Sequence, residues 1–381
     1  MNLVMKLSKL CNLRCTYCYE YDELSHQEKM PIEKIEFFLK NLAQYILNQK
    51  ETLPVEIIFH GGEALLLPHD YLRTICQLCD QYFTEQGIFH RTVVQSNLFK
   101  ISNKTIDLLQ ELDIALGFSL DVFGDQRVDI AGRVSQEKVL SNLQRLLDRG
   151  IAVAGIVVLH ALNVNHVEEI YQFYNELNID FRVMPIFNYQ ESPERMKHLL
   201  ISHEEIVTAL KKIAVAQLAS ASNIDILPLK DYFEAAVRYL TGRKFPIYDP
   251  SQKEWALIIN TNGDTYSYGD AYLPEGFMGN VFQQSLNEIF TSSAYANTTK
   301  VRLERAATCR QCEFDQKCDQ LHLVEAISSE RSYDEVGKLQ CMIAKPMIQF
   351  MVNEILRSPE AKALINVYAV QDKSQTNVIV R

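Results

Sequence analysis

Three cysteines stand close together near the start of the chain, Cys11, Cys15 and Cys18 in "KLCNLRCTYCYE". Thiolates are soft ligands, and a closed structural metal site takes four of them. No fourth donor follows nearby. Three thiolates hold three irons of a [4Fe–4S] cluster and leave the fourth iron open to a small molecule. A structural zinc loop would need one more ligand in the same stretch. A second set lies far downstream. "CRQCEFDQKCDQLH" carries Cys309, Cys312 and Cys318, and Cys341 follows. Four thiols can close a site for iron–sulfur or for zinc, and spacing alone does not separate the two. The last two of the nine cysteines, Cys76 and Cys79, fall inside an amphipathic stretch and read as core thiols.

The rest of the chain must position these groups. It has 381 residues, 47% of them hydrophobic, which is enough for two or three domains with real cores. The formal net charge of -10 argues against a partner held through nucleic-acid phosphates. No apolar run approaches membrane length, and "MNLVMKLSKL" alternates with Lys6 and Lys9, unlike a signal peptide. Clustered cysteines of this kind fit a reduced, cytoplasmic setting.

Short apolar strands alternate with amphipathic helices over residues 1–185. The strands are "NLVMKLS", "VEIIFH", "TVVQSN", "IALGFSLD", "AVAGIVVLH" and "DFRVMPIF". Such alternation predicts βαβ units and a parallel sheet, with six units suiting a partial (β/α)6 barrel of the α/β class. In such barrels the chemistry sits where strands end, which is where the cysteine triplet falls. Residues 186–250 read as a helical bridge, with 192–222 and 227–242 helical and a Ser/Ala-rich break between them. Residues 251–345 read as a small α+β domain opened by a hairpin around Asn262-Gly263, a pair that favours a two-residue primed turn. Residues 346–381 read as a terminal helix, started or kinked by Pro346, and a tail.

The C-x3-C-x2-C spacing, with Tyr17 just before Cys18, resembles the radical S-adenosylmethionine (AdoMet) superfamily. The resemblance implies that AdoMet binds the open iron and is cleaved to a 5′-deoxyadenosyl radical. It also implies cofactor contacts from further strand ends. These are Gly61, Gly62 and Glu63 in "FHGGEALL", Gln95, Ser96 and Asn97 in "VQSN", and Ser119 and Asp121 in "FSLD". The downstream cysteines resemble a SPASM-type domain. That pattern expects cysteines where His322 and Tyr268 stand, so the resemblance implies one auxiliary [4Fe–4S] cluster on Cys309, Cys312, Cys318 and Cys341. His322 is expected to be a surface or packing residue.

Enzymes of this type act mostly on ribosomally made peptides with a leader segment. A C–C (cyclophane) crosslink is the expected product, with thioether formation, epimerisation or sulfatase maturation as alternatives. A non-catalytic iron–sulfur redox sensor would not need the nucleotide contacts. An electron donor such as flavodoxin or ferredoxin is implied as a partner. Asp121, Asp270, His160 and Arg182 are candidates to shape the pocket or take a proton. The chain opens directly in the first strand, so the leader is expected to bind the bridge or a separate protein.

Overall fold

The computed structural model describes residues 1–49, 54–186, 193–220, 222–246, 249, 256–267, 273–326 and 328–357. Strands and helices alternate through the first half: β1 (Asn2–Ser8), α1 (Ile32–Leu47), β2 (Val55–Gly61), α2 (His69–Tyr82), β3 (His90–Ser96), α3 (Asn103–Glu111), β4 (Ala115–Ser119), α4 (Gln136–Asp148), β5 (Val153–Leu159), α5 (Val167–Glu176) and β6 (Phe181–Pro185). There follow α6 (Glu194–Lys197), α7 (His203–Ala219), β7 (Ile226–Leu227), α8 (Leu229–Thr241), β8 (Ala256–Ile259), β9 (Asp264–Ser267), β10 (Phe277–Asn280), α9 (Leu286–Phe290), α10 (Ser293–Ala306), α11 (Leu321–Val324), β11 (Ser332–Tyr333), β12 (Leu339–Gln340) and α12 (Ala344–Arg357).

Two compact units follow packing and not chain order. One comprises Met1–Leu120, Asp125–Ala154 and Pro250–Val301; the other comprises Asp121–Gly124, Gly155–Asp249 and Arg302–Arg381. They cut across the four segments read from the sequence.

In the first unit the strand order is β10-β9-β8-β1-β2-β3-β4. β1 to β4 run parallel, and β8 also joins β1 in parallel. The hairpin therefore extends this sheet, and is not the opening of a separate domain as the sequence suggested. Registered partners in a parallel sheet share a face. One face is sealed: Leu3, Met5 and Leu7 of β1, Ile57 and Phe59 of β2 and Val94 of β3 are all fully buried. The other face is only half-covered at Val4, Ile58, Val93 and Ala115, which lie in one register row. Nearer the strand C-termini this second face turns polar, with Lys6 paired in register to His60, and Gln95 to Gly117.

The hairpin turn differs from the expected two-residue form. Asn260 and Asp264 still pair through the Asn260 N–H, so Thr261, Asn262 and Gly263 make the loop. Gly263 alone takes the left-handed conformation, at φ +88°. The Asn262 side chain accepts the Asp264 N–H at 3.0 Å, which favours this longer loop.

In the second unit β5, β6 and β7 are parallel neighbours. Within the segment 192–222 read as helical, the described residues form two helices, α6 and α7. Ser202 accepts the Glu205 N–H while the Glu205 carboxylate accepts the Ser202 N–H, a capping box that starts α7 afresh. Pro346 lies in the first turn of α12, where its missing N–H costs nothing. The expected tail lies outside the described residues. Gly155 of β5 faces the fully buried Tyr174 ring, which stacks on Phe181 at 4.4 Å. A Cβ at Gly155 would stand 2.3 Å from that ring. Gly155→Ala is expected to cost about 1–3 kcal/mol as overpacking, read as a lower denaturant midpoint with an unchanged slope.

Candidate functional site

The cysteine triplet follows β1 directly. Cys11 is buried; Cys15 and Cys18 are half-buried. Leu13 and Leu24 pack with Cys11, and Phe99 covers them. The Arg14 guanidinium donates to the carbonyls of Cys11 and Leu13, which curls the loop on itself. The segment 126–128 runs alongside, its carbonyls at Val128 and Gln126 accepting the N–H groups of Arg14 and Thr16. Burial pushes the Cys11 thiol up to about 11 and the Cys18 thiol up to about 12. Metal binding at these thiols would therefore be coupled to proton release.

The "FHGGE" stretch does something the sequence did not disclose. Its glycines admit the chain's own backbone. The Gly62 N–H donates to Ser8 at 2.7 Å and the Glu63 N–H to Leu10 at 2.9 Å. A Cβ on Gly61 would lie 2.1 Å from the Ser8 carbonyl oxygen, and one on Gly62 would lie 2.3 Å from that of Lys9. The Glu63 carboxylate is buried, and accepts the N–H groups of Leu65 and Asn97. Burial raises its pKa, against those hydrogen bonds. Asn97 then reaches back, its Nδ2 donating to Asn12 Oδ1 at 2.8 Å and pointing at Cys11 Sγ at 3.5 Å. The Leu13 N–H also donates to Cys11 Sγ, at 3.4 Å. Hydrogen bonds to sulfur are what iron–sulfur ligands carry, and they tune the cluster. The donor set and its surroundings thus fit such a group.

Two further observations complete this unit. Gln95 donates to Ser119 Oγ at 2.9 Å, crossing Gly117, where a Cβ would stand 2.2 Å from Gln95 Oε1. Arg127, missed in the sequence, donates to the Tyr17 hydroxyl at 3.1 Å, and its charge is felt at Cys11 and Glu63. The only sequence signal for it is its place in the loop after "FSLD". Ser96 uses its hydroxyl on the Leu98 N–H.

Three of the four proton-handling candidates lie among the described residues. Asp121 is buried, and its Oδ1 accepts the Val158 N–H at 2.9 Å. His160 is fully buried, its Nδ1 accepting the Leu162 N–H. Burial lowers its pKa, with Asp121 opposing. Both follow strand C-termini, but both are built into turns. Arg182 is the second residue of β6, flanked in register by Ile156 and Leu227, and so lies toward the wrong end of its strand for barrel chemistry. Asp270 and Tyr268 lie outside the described residues.

In the second unit Cys309, Cys312 and Cys318 sit on consecutive turns, and Cys341 precedes α12. The Cys309 thiol feels Cys341 and Cys312; the Cys318 thiol feels Cys341 and Cys309. The Gln320 N–H donates to Cys318 Sγ and the Lys345 N–H to Cys341 Sγ. The buried Tyr232 of α8 lies within the field of Cys341 and Cys318. His322 is exposed. Cys76 and Cys79 are buried in α2, where burial pushes their thiols up, Cys76 to about 12. Among the described residues no three His, Cys, Asp or Glu are drawn tightly enough together to hold a single metal ion, and no helix is long and apolar enough to cross a membrane.

The model of the radical SAM superfamily matches residues 5–174. A serine-type anaerobic sulfatase-maturating enzyme of Bacteroides thetaiotaomicron is 24% identical over 343 residues, 83% of this chain and 81% of its own length. A solved structure described as native anSMEcpe with bound AdoMet has a TM-score of 0.74 at 17% identity, covering 96% of this chain and 99% of that one. Streptococcus suis SuiB bound to S-adenosylmethionine gives 0.57 at 17% identity, over 89% and 77% of the two chains. These likenesses show the α/β fold with the parallel sheet of a partial barrel. The superfamily implies a [4Fe–4S] cluster and AdoMet. Residues 5–174 are thus a radical SAM domain.

Proposed function

We infer that this chain is a peptide maturase that removes hydrogen from a ribosomally made precursor and closes a C–C crosslink within it. Cys11, Cys15 and Cys18 would hold the open cluster. The observation that carries this reading is the second strand end, Gly61 to Glu63, locked against the cysteine loop while Asn97 reaches Cys11. Cluster and AdoMet together supply a carbon-centred radical able to take a hydrogen atom. Around them the chain's own residues hold and orient. Arg127 brings a positive charge to the thiolate side. Gln95 and Ser119, joined by a hydrogen bond near the ends of β3 and β4, are suited to a nucleoside. Cys309, Cys312, Cys318 and Cys341 would hold a closed cluster, suited to passing on the second electron. A soluble donor such as flavodoxin or ferredoxin would supply the first.

A second reading, sulfatase maturation, is favoured by the relatives' names. One experiment addresses both. The chain is co-expressed with each short peptide gene beside its own, with iron–sulfur supply, and peptides are weighed. Loss of two hydrogens, placed by fragmentation as a bond between two residues, supports the crosslink. A single residue that traps hydrazide is an aldehyde and supports the second reading. Cys15→Ala is expected to abolish both the mass change and the release of 5′-deoxyadenosine from AdoMet. Unchanged product from that variant would overturn the enzyme assignment.

A further inference from the structure

Lys6 and Glu20 form a buried ion pair at 2.6 Å, each side chain only 4% exposed. Glu20 stands two residues beyond Cys18. Its backbone N–H donates to Cys18 Sγ, and its carboxylate charge acts on that same sulfur. Reducing an iron–sulfur cluster adds negative charge, so a bare carboxylate two residues from a ligand would oppose reduction. Lys6 answers it from the polar end of β1, its ammonium 4.8 Å from the centre of the Tyr19 ring. Among the described residues, Tyr19 and His60 are further titratable groups at the pair; His60, the register partner of Lys6 on β2, feels both charges, and burial holds it neutral near neutral pH.

We propose that Lys6 is a positioning residue that sets the reduction potential of the N-terminal cluster by neutralising Glu20. This rests on the reading that Cys11, Cys15 and Cys18 hold that cluster. The pair is itself neutral, so its strength as a redox device lies in its being broken one side at a time. Removing the lysine leaves a buried negative charge beside Cys18. Neutralising the glutamate leaves a buried positive one.

The test is an EPR-monitored redox titration of the anaerobically reconstituted full chain. The N-terminal cluster is identified as the signal that changes on adding AdoMet. Lys6→Met is expected to shift its midpoint to lower potential and Glu20→Gln to higher potential. Lys6→Met/Glu20→Gln is expected to return it toward the wild-type value. A merely structural pair would shift both single variants in the same direction, or leave the potential unmoved with less iron bound, and either result overturns the inference. Glu20→Gln keeps the size and a hydrogen-bond acceptor for Lys6, so it carries the test even where Lys6→Met does not fold. A wild-type protein with iron but no AdoMet-sensitive signal would overturn the cluster assignment itself, and the inference with it.

Discussion

Gly62→Ala is expected to destabilise the fold by about 3–4 kcal/mol and to leave the protein short of iron. The added Cβ would meet the carbonyl oxygens of Lys9 and Leu10 at 2.3 and 2.4 Å. These are backbone atoms, so no side chain can swing aside. The Ser8–Gly62 and Leu10–Glu63 hydrogen bonds must open, and the cysteine loop loses its seat. A control separates this clash from general glycine effects. Gly87 has a positive φ, +73°, unlike Gly62, and no atom stands within 4 Å of its would-be Cβ. Gly87→Ala should cost only about 1 kcal/mol. Denaturant midpoints and iron per chain measure both. Equal, small losses at the two positions would mean that the second strand end is not seated on residues 8–10.

The second large effect concerns the ion pair. Removing one partner of a buried pair strands the other charge, which typically costs about 3–5 kcal/mol. Lys6→Met is therefore expected to fall in that range. Lys6→Met/Glu20→Leu should recover most of it, because well-packed apolar residues often replace a buried pair at little net cost. A double-mutant cycle on the metal-free protein reads the coupling directly. A Lys6→Met cost below about 1 kcal/mol would put the pair in water, where such contacts contribute little.

Much of this was legible in the sequence because it depends on short-range pattern. Cysteine spacing, strand alternation and amphipathic helices are all local, and β1 to β6 fall where "NLVMKLS" to "DFRVMPIF" put them. What the sequence hid depends on register. Gly61 and Gly62 read as room for a ligand; that they make room for Ser8, Lys9 and Leu10 follows only once β1 and β2 are aligned. The same alignment sets Lys6 beside His60, and nothing in "VMKLS" or "IIFHG" announces it. Arg127 and the Asn97 contact with Cys11 bridge distant segments. Two misses were local and readable. "SHEE" carries the capping box that breaks the helical stretch before residue 203, and Asn262 was credited with a tight turn when its side chain serves Asp264 instead.

The seating of the cysteine loop also has a consequence for how the protein is made. The three thiols precede most of their scaffold in the order of synthesis. Their scaffold arrives later: Gly62 and Glu63 first, then Asn97, and last the carbonyls of Gln126 and Val128. A nascent chain therefore displays a bare, unshielded trio of sulfurs for more than a hundred residues of synthesis before the walls around them exist. Iron delivered during that interval would meet a loose tripod open on every side. A cluster seated on these cysteines is therefore expected to load productively only once the segment through Val128 has been made.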